Sequence, residues 1–136
     1  MATLNGKWKL VSAENFKEYL DALELKSEVK EKALKLLSPQ NNITQEITVK
    51  GNAVTIVTTT PMGSSESKAT FGDESPQAAV DGSPLKVIYK LEGEKLIEEQ
   101  KGTIESVNVR TVEGGQLVMR LTARNGVVAV RKYDKV

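Results

Sequence analysis

The stretch Leu117-Val118-Met119-Arg120-Leu121-Thr122-Ala123-Arg124-Asn125-Gly126-Val127-Val128-Ala129-Val130-Arg131-Lys132-Tyr133 consists of two alternating segments on either side of Asn-Gly. Asn-Gly takes up the left-handed backbone that a tight antiparallel turn needs, so the stretch reads as a β-hairpin. Side chains alternate across a strand. Met119 and Leu121 therefore oppose Val118, Arg120 and Thr122, and are expected to face inward. On the second strand Arg131 and Tyr133 share a face with Ala129, opposite Val128, Val130 and Lys132. An arginine on that face does not suit a sealed apolar core. It suits a cavity that receives a carboxylate, whose two oxygens match the guanidinium fork.

The same pattern extends backward to Asn42. Short β-rich segments are separated by Gly51-Asn52, Pro61-Met62-Gly63, Gly72-Asp73, Asp81-Gly82, Glu92-Gly93, Lys101-Gly102, Gly114-Gly115 and Asn125-Gly126. A spacing of roughly 9–12 residues predicts consecutive hairpins in one up-and-down sheet that closes on itself. A first strand is expected from about Gly6 to Ala13, ahead of two helical patterns. Asn15 is placed to cap the first helix, with Glu18 bonding back and Phe16, Tyr19, Leu20 and Leu23 forming an apolar stripe. Ser27 is placed to cap the second, whose inner face carries Val29, Ala33, Leu36 and Leu37 before Ser38-Pro39 stops it. Neither helix is long enough to stand alone, so the pair must lean on the sheet. The expected fold is all-β, a single domain over residues 1–136. A barrel of about ten strands encloses more volume than its side chains fill, so a ligand cavity is expected.

Composition narrows the function. The chain has 136 residues, a net charge of +1, no cysteine and no histidine. Disulfides, thiolate or imidazole metal sites, and Ser-His or Cys-His pairs are therefore excluded, which weighs against an enzyme. No basic run interleaved with aromatics points to nucleic acid. The start, Met-Ala-Thr-Leu-Asn-Gly-Lys-Trp, lacks the apolar stretch of a signal peptide, and no segment is apolar enough to span a bilayer as a helix. The expected location is cytoplasmic.

Gly6-Lys7-Trp8-Lys9-Leu10-Val11-Ser12, with Asn15-Phe16 following, resembles the first strand and helix of the intracellular lipid-binding proteins, the fatty-acid-binding and cellular retinoid-binding family. Val130-Arg131-Lys132-Tyr133 resembles the Arg-x-Tyr ending of that family, and Val109-Arg110 its third anchor. The resemblance runs over essentially the whole chain. It implies a ten-stranded antiparallel β-clam with a two-helix lid between the first and second strands, a monomer holding one lipid and needing no cofactor or metal. It also implies that Arg110, Arg131 and Tyr133 hold a ligand carboxylate. Retinol-binding members tend to have glutamine at the position of Arg110, so the arginine favours an acid over an alcohol.

Several positions depart from the family pattern. Lys17 replaces an acidic residue, the second helix and its exit loop look about five residues longer, Met62 and Ala69 stand where aromatics are common, and Ser75-Pro76 replaces a frequent Phe-Asp. Smaller and softer residues make a wider, adaptable pocket.

The ligand expected from these residues is one long-chain fatty acid. Phe16, Tyr19, Leu23, Val29, Ala33, Met62, Met119 and Leu121 would touch its tail or line the portal under the helical lid. Burial contributes about 0.8 kcal/mol per methylene, so over about sixteen carbons the tail sets affinity and the head sets selection. Trp8 is expected in the core, without a ligand role. Alternatives remain open at this point. Arg110 and Arg131 could instead pair with a wall carboxylate such as Glu74 or Glu98, or point outward. The cargo could be retinoic acid, a bile acid or another amphipathic acid. Lys26, Lys30, Lys32 and Lys35 could touch an anionic membrane transiently, or the barrel could be a membrane-surface structural protein.

Overall fold

A computed structural model describes residues 4–78, 83–102 and 105–136. Strand β1 (Gly6–Glu14) leads into α1 (Phe16–Ala22), α2 (Ser27–Leu36) and a short 3-10 turn (Pro39–Asn41). The meander follows: β2 (Thr44–Lys50), β3 (Ala53–Thr60), β4 (Gly63–Thr70), β5 (Glu74–Ala78), β6 (Pro84–Glu92), β7 (Lys95–Gly102), β8 (Ser106–Glu113), β9 (Gln116–Ala123) and β10 (Val128–Lys135). The protein is all-β with two helices between the first and second strands, as expected. None of the described helices is long and apolar enough to cross a membrane.

All ten strands form one antiparallel sheet in the order β4-β3-β2-β1-β10-β9-β8-β7-β6-β5. The first and last strands pair, which closes most of the barrel and leaves β4 and β5 as its two edges. Ser75 Oγ bridges those edges by donating to the carbonyl of Lys68 at 3.2 Å. Strand β1 makes the closure possible by serving two neighbours in turn. Gly6 to Lys9 pair with β2, and Trp8 to Glu14 pair with β10. Val11 is the extra residue between Leu10 and Ser12, and such a bulge bends a strand away from one partner toward the other.

The expected turns fall where glycine relieves the backbone. At the β9–β10 turn Gly126 adopts φ +91°, and Ala123 N–H and Val127 C=O bond at 2.9 Å across it. The Asp81-Gly82 signal lies outside the described residues. Lys101-Gly102 forms the end of β7 rather than a turn.

The helix starts differ from the expected caps. Asn15 stands at the N-terminal boundary of α1, but its backbone is left-handed (φ 61°) and its side chain does not cap. Its Nδ2 instead donates to the carbonyl of Val128 at 2.9 Å, tying the helix start to β10. Ser27 is the first residue of α2, whose cap position is Lys26, and no side chain caps that end. Ser38-Pro39 does stop α2: the Ser38 hydroxyl accepts from Gln40 N–H, and Pro39 opens the 3-10 turn.

Strand alternation holds inside the barrel. Trp8, Leu10, Ile47, Val54, Ile56, Val87, Leu96 and Leu117 are buried in one core. The Trp8 indole donates to the carbonyl of Leu4 at 3.0 Å, so its one polar atom is satisfied without a ligand.

Candidate functional site

Inside the barrel, beneath α1, lies a cavity of about 210 Å³. Its apolar part comes from Phe16, Tyr19, Leu20 and Leu23 of the lid region, from Leu37 and Ile43 on either side of the 3-10 turn, and from Met119 and Leu121 of β9. Its polar part comes from Gln45, Thr58, Gln100, Asn108, Arg110, Arg131 and Tyr133. Of the expected tail contacts, Phe16, Tyr19, Leu23, Met119 and Leu121 lie on this wall. Val29, Ala33 and Met62 do not: Ala33 is buried in the core at 4 % exposure, and Met62 is 83 % exposed on the β3–β4 turn.

The two arginines are placed by register. Met119 on β9 is the pairing partner both of Arg110 on β8 and of Arg131 on β10. Residues in register on neighbouring strands project to the same face, so all three point inward, with the arginines two strands apart, about 4.8 Å per step. Arg110, Arg131 and Tyr133 are all buried. The chemical situation of the two arginines is nevertheless unlike.

Arg110 has a carboxylate partner. Its Nη1 lies 2.8 Å from Glu98 Oε1, and its Nε donates to Gln45 Oε1 at 2.9 Å. Gln100 Nε2 donates to the second Glu98 oxygen at 2.5 Å. Burial works against the Arg110 charge, and the Glu98 carboxylate more than offsets it, so the guanidinium is held above its ordinary range. Of the two wall carboxylates considered from sequence, Glu98 is the partner. Glu74 lies on the outer surface, 3.9 Å from Lys86.

Arg131 has no carboxylate partner among the described residues. Its Nη2 donates to the carbonyl of Leu37 at 3.0 Å, and its Nε lies 3.5 Å from the Tyr133 hydroxyl. The guanidinium carbon sits 4.5 Å from the centre of the Phe16 ring. Its Nη1 is buried and has no hydrogen-bond partner among the described residues. A buried cation with an unused donor is costly unless an anion reaches it.

A third polar group ties the lid to the far wall. Tyr19 Oη and Ser106 Oγ are 2.5 Å apart, and Ser106 in turn lies 2.9 Å from Asn108 Oδ1. Burial, opposed by the Ser106 bond and aided by the Glu98 charge, holds the Tyr19 phenol above its usual range. Sequence alone does not single out Ser106, Gln45 or Gln100. Their only signal is inward position on strands, and that depends on register.

Comparison with known proteins agrees with this architecture. Residues 5–134 match the model of the lipocalin / cytosolic fatty-acid binding protein family. The chain is 35% identical to sodium/calcium exchanger regulatory protein 1 of Doryteuthis pealeii, over 99% of this chain and 98% of that one. It is 33% identical to a fatty acid-binding protein of Tyrophagus putrescentiae, over 99% of both chains. A solved structure described as the REP1-NXSQ fatty acid transporter superposes with a TM-score of 0.87 at 33% identity, covering 100% of this chain and 98% of that one. The ten-stranded sheet, the lid between β1 and β2 and these matches together establish that the chain belongs to the lipocalin / cytosolic fatty-acid binding protein family.

Proposed function

We propose that the protein is a non-enzymatic cytoplasmic carrier that holds one long-chain fatty acid in the barrel, with its carboxylate against Arg131 and Tyr133. The observation that carries this reading is Arg131 itself: buried, without an acidic partner among the described residues, with Nη1 unbonded, on the wall of a cavity. A carboxylate supplies the missing anion and accepts from that donor. Arg110, the third anchor expected from the resemblance, enters the reading as a neighbour already held by Glu98. The relatives named as a fatty acid transporter and a fatty acid-binding protein support the same cargo.

Phe16, Tyr19, Leu23, Met119 and Leu121 would contact the acyl chain. Opening of α1, rather than unfolding of the barrel, would admit it. The protein would act as a monomer, and Lys26, Lys30, Lys32 and Lys35 would make at most transient contact with a membrane.

Native mass spectrometry of delipidated protein titrated separately with oleate and oleyl alcohol tests this reading. One oleate bound, with the alcohol at least about tenfold weaker, is the expected result, since a charge-assisted bond contributes about 1.5–3 kcal/mol. Equal binding of both would retain the carrier and remove the carboxylate. Binding of neither would reject the fatty-acid cargo.

A further inference from the structure

We infer that Glu98 is a resident counter-ion: it occupies Arg110, directs the ligand anion to Arg131, and restricts the cavity to amphiphiles carrying one negative charge. The inference deepens the fatty-acid reading and rests on it.

Leu96 on β7 pairs with Arg110 on β8, and Glu98 pairs with Asn108. Glu98 and Arg110 are therefore diagonal neighbours on one face of the strand pair, a separation that long side chains span. Both side chains are 7% exposed, and the contact is 2.8 Å. Gln45 accepts from Arg110 Nε, and Gln100 donates to the other Glu98 oxygen, so both members of the pair are held from a second direction.

Charge then decides the outcome. Arg110, Arg131 and Glu98 are the buried charged residues of the described chain, two positive and one negative. The interior is one negative charge short, and the shortfall lies at Arg131. A ligand carboxylate aimed at Arg110 would displace Glu98 and leave two carboxylates in a space with little water, where like charges are strongly disfavoured. At Arg131 no displacement is needed. A dianionic head would overshoot the balance at either arginine.

Two measurements test this. The first uses the unaltered protein, delipidated, with laurate and dodecyl phosphate at about pH 8, where the phosphate monoester is close to a dianion. Laurate should bind at least about tenfold tighter than dodecyl phosphate. Equal or tighter binding of the phosphate overturns the inference.

The second is a cycle read by calorimetric titration of oleate. E98Q leaves Arg110 without its anion, so oleate should bind about tenfold tighter than to the unaltered protein, and the preference for laurate over dodecyl phosphate should disappear. The gain should be lost again in E98Q/R110Q. If folded E98Q binds oleate no tighter than the unaltered protein, Glu98 is not withholding Arg110 and the inference fails. If E98Q does not fold, the laurate and dodecyl phosphate comparison decides alone. Failure of the carboxylate reading looks different: the unaltered protein would not prefer oleate to oleyl alcohol, and this inference would fall with that anchor while the carrier role stands.

Discussion

The guanidinium of Arg131 lies 4.5 Å from the centre of the Phe16 ring, so the open cation of the cavity and the first residue of the lid helix are in direct contact. Cation and ring attract through the ring quadrupole. The same guanidinium donates to Leu37 just past α2. A ligand that engages Arg131 thus acts on the group that touches both ends of the helical lid.

Arg131→Gln separates binding from folding. It removes the charge-assisted bond, and oleate affinity should fall by about 10-fold to 100-fold. The empty variant should unfold at the same temperature as the parent or higher, because a buried cation without a counter-ion has been removed. Calorimetric titration and thermal denaturation read the two effects. Unchanged oleate affinity would reject Arg131 as the anchor.

Phe16→Leu tests the lid contact. Leucine keeps the apolar cover but loses the ring, and with it about 0.5–2 kcal/mol of cation–ring attraction. Oleate should dissociate several-fold faster in stopped-flow transfer to vesicles, with the strand spectrum unchanged. An unchanged release rate would show that this contact does not hold the lid.

Asn15 offers a sharper test of local structure. A conventional cap would tolerate serine. Here the backbone is left-handed and the amide reaches Val128 C=O, neither of which serine reproduces. Asn15→Ser should therefore destabilise by about 1–2 kcal/mol, much like Asn15→Ala, while Asn15→Gly should cost less because glycine tolerates that backbone. Urea denaturation of the three variants gives the ranking, and a neutral Asn15→Ser would restore the capping role.

Alkaline pH should loosen the fold through its buried phenols. Tyr19 and Tyr89 are both raised above their ordinary range, by burial first and by the Glu98 charge in addition. Their contribution to stability is fully present below about pH 10 and is lost as pH rises, since the unfolded chain releases these protons first. Denaturation midpoints measured from about pH 9 upward should fall, and the fall should be shallower in Tyr19→Phe. An identical slope in that variant would remove Tyr19 from the account.

Much of this was legible in the chain itself. Strand alternation has a period of two, so the shared face of Arg131 and Tyr133 follows from local order alone, as does that of Met119 and Leu121. The turn signals marked most hairpins because glycine and asparagine adopt backbones that other residues avoid. The N-terminal and Arg-x-Tyr motifs pointed to the family that the comparisons established.

Other features were decided only by the assembled barrel. Asn15 marked the right boundary for the wrong reason, because its acceptor lies 113 positions away on β10. Val29 and Ala33 have the spacing of an inner helix face, yet α2 packs against α1, and neither residue lines the cavity. The difference between Arg110 and Arg131 is the clearest case. Both are arginines on alternating strands, and nothing local shows which of them has a counter-ion inside the barrel. The register of β7 against β8 places Glu98 diagonal to Arg110, whereas among the described residues no acid lies within ion-pair distance of Arg131. Alternation is a property of one strand and can be read from it; a counter-ion belongs to a pair of strands and exists only once their register is set.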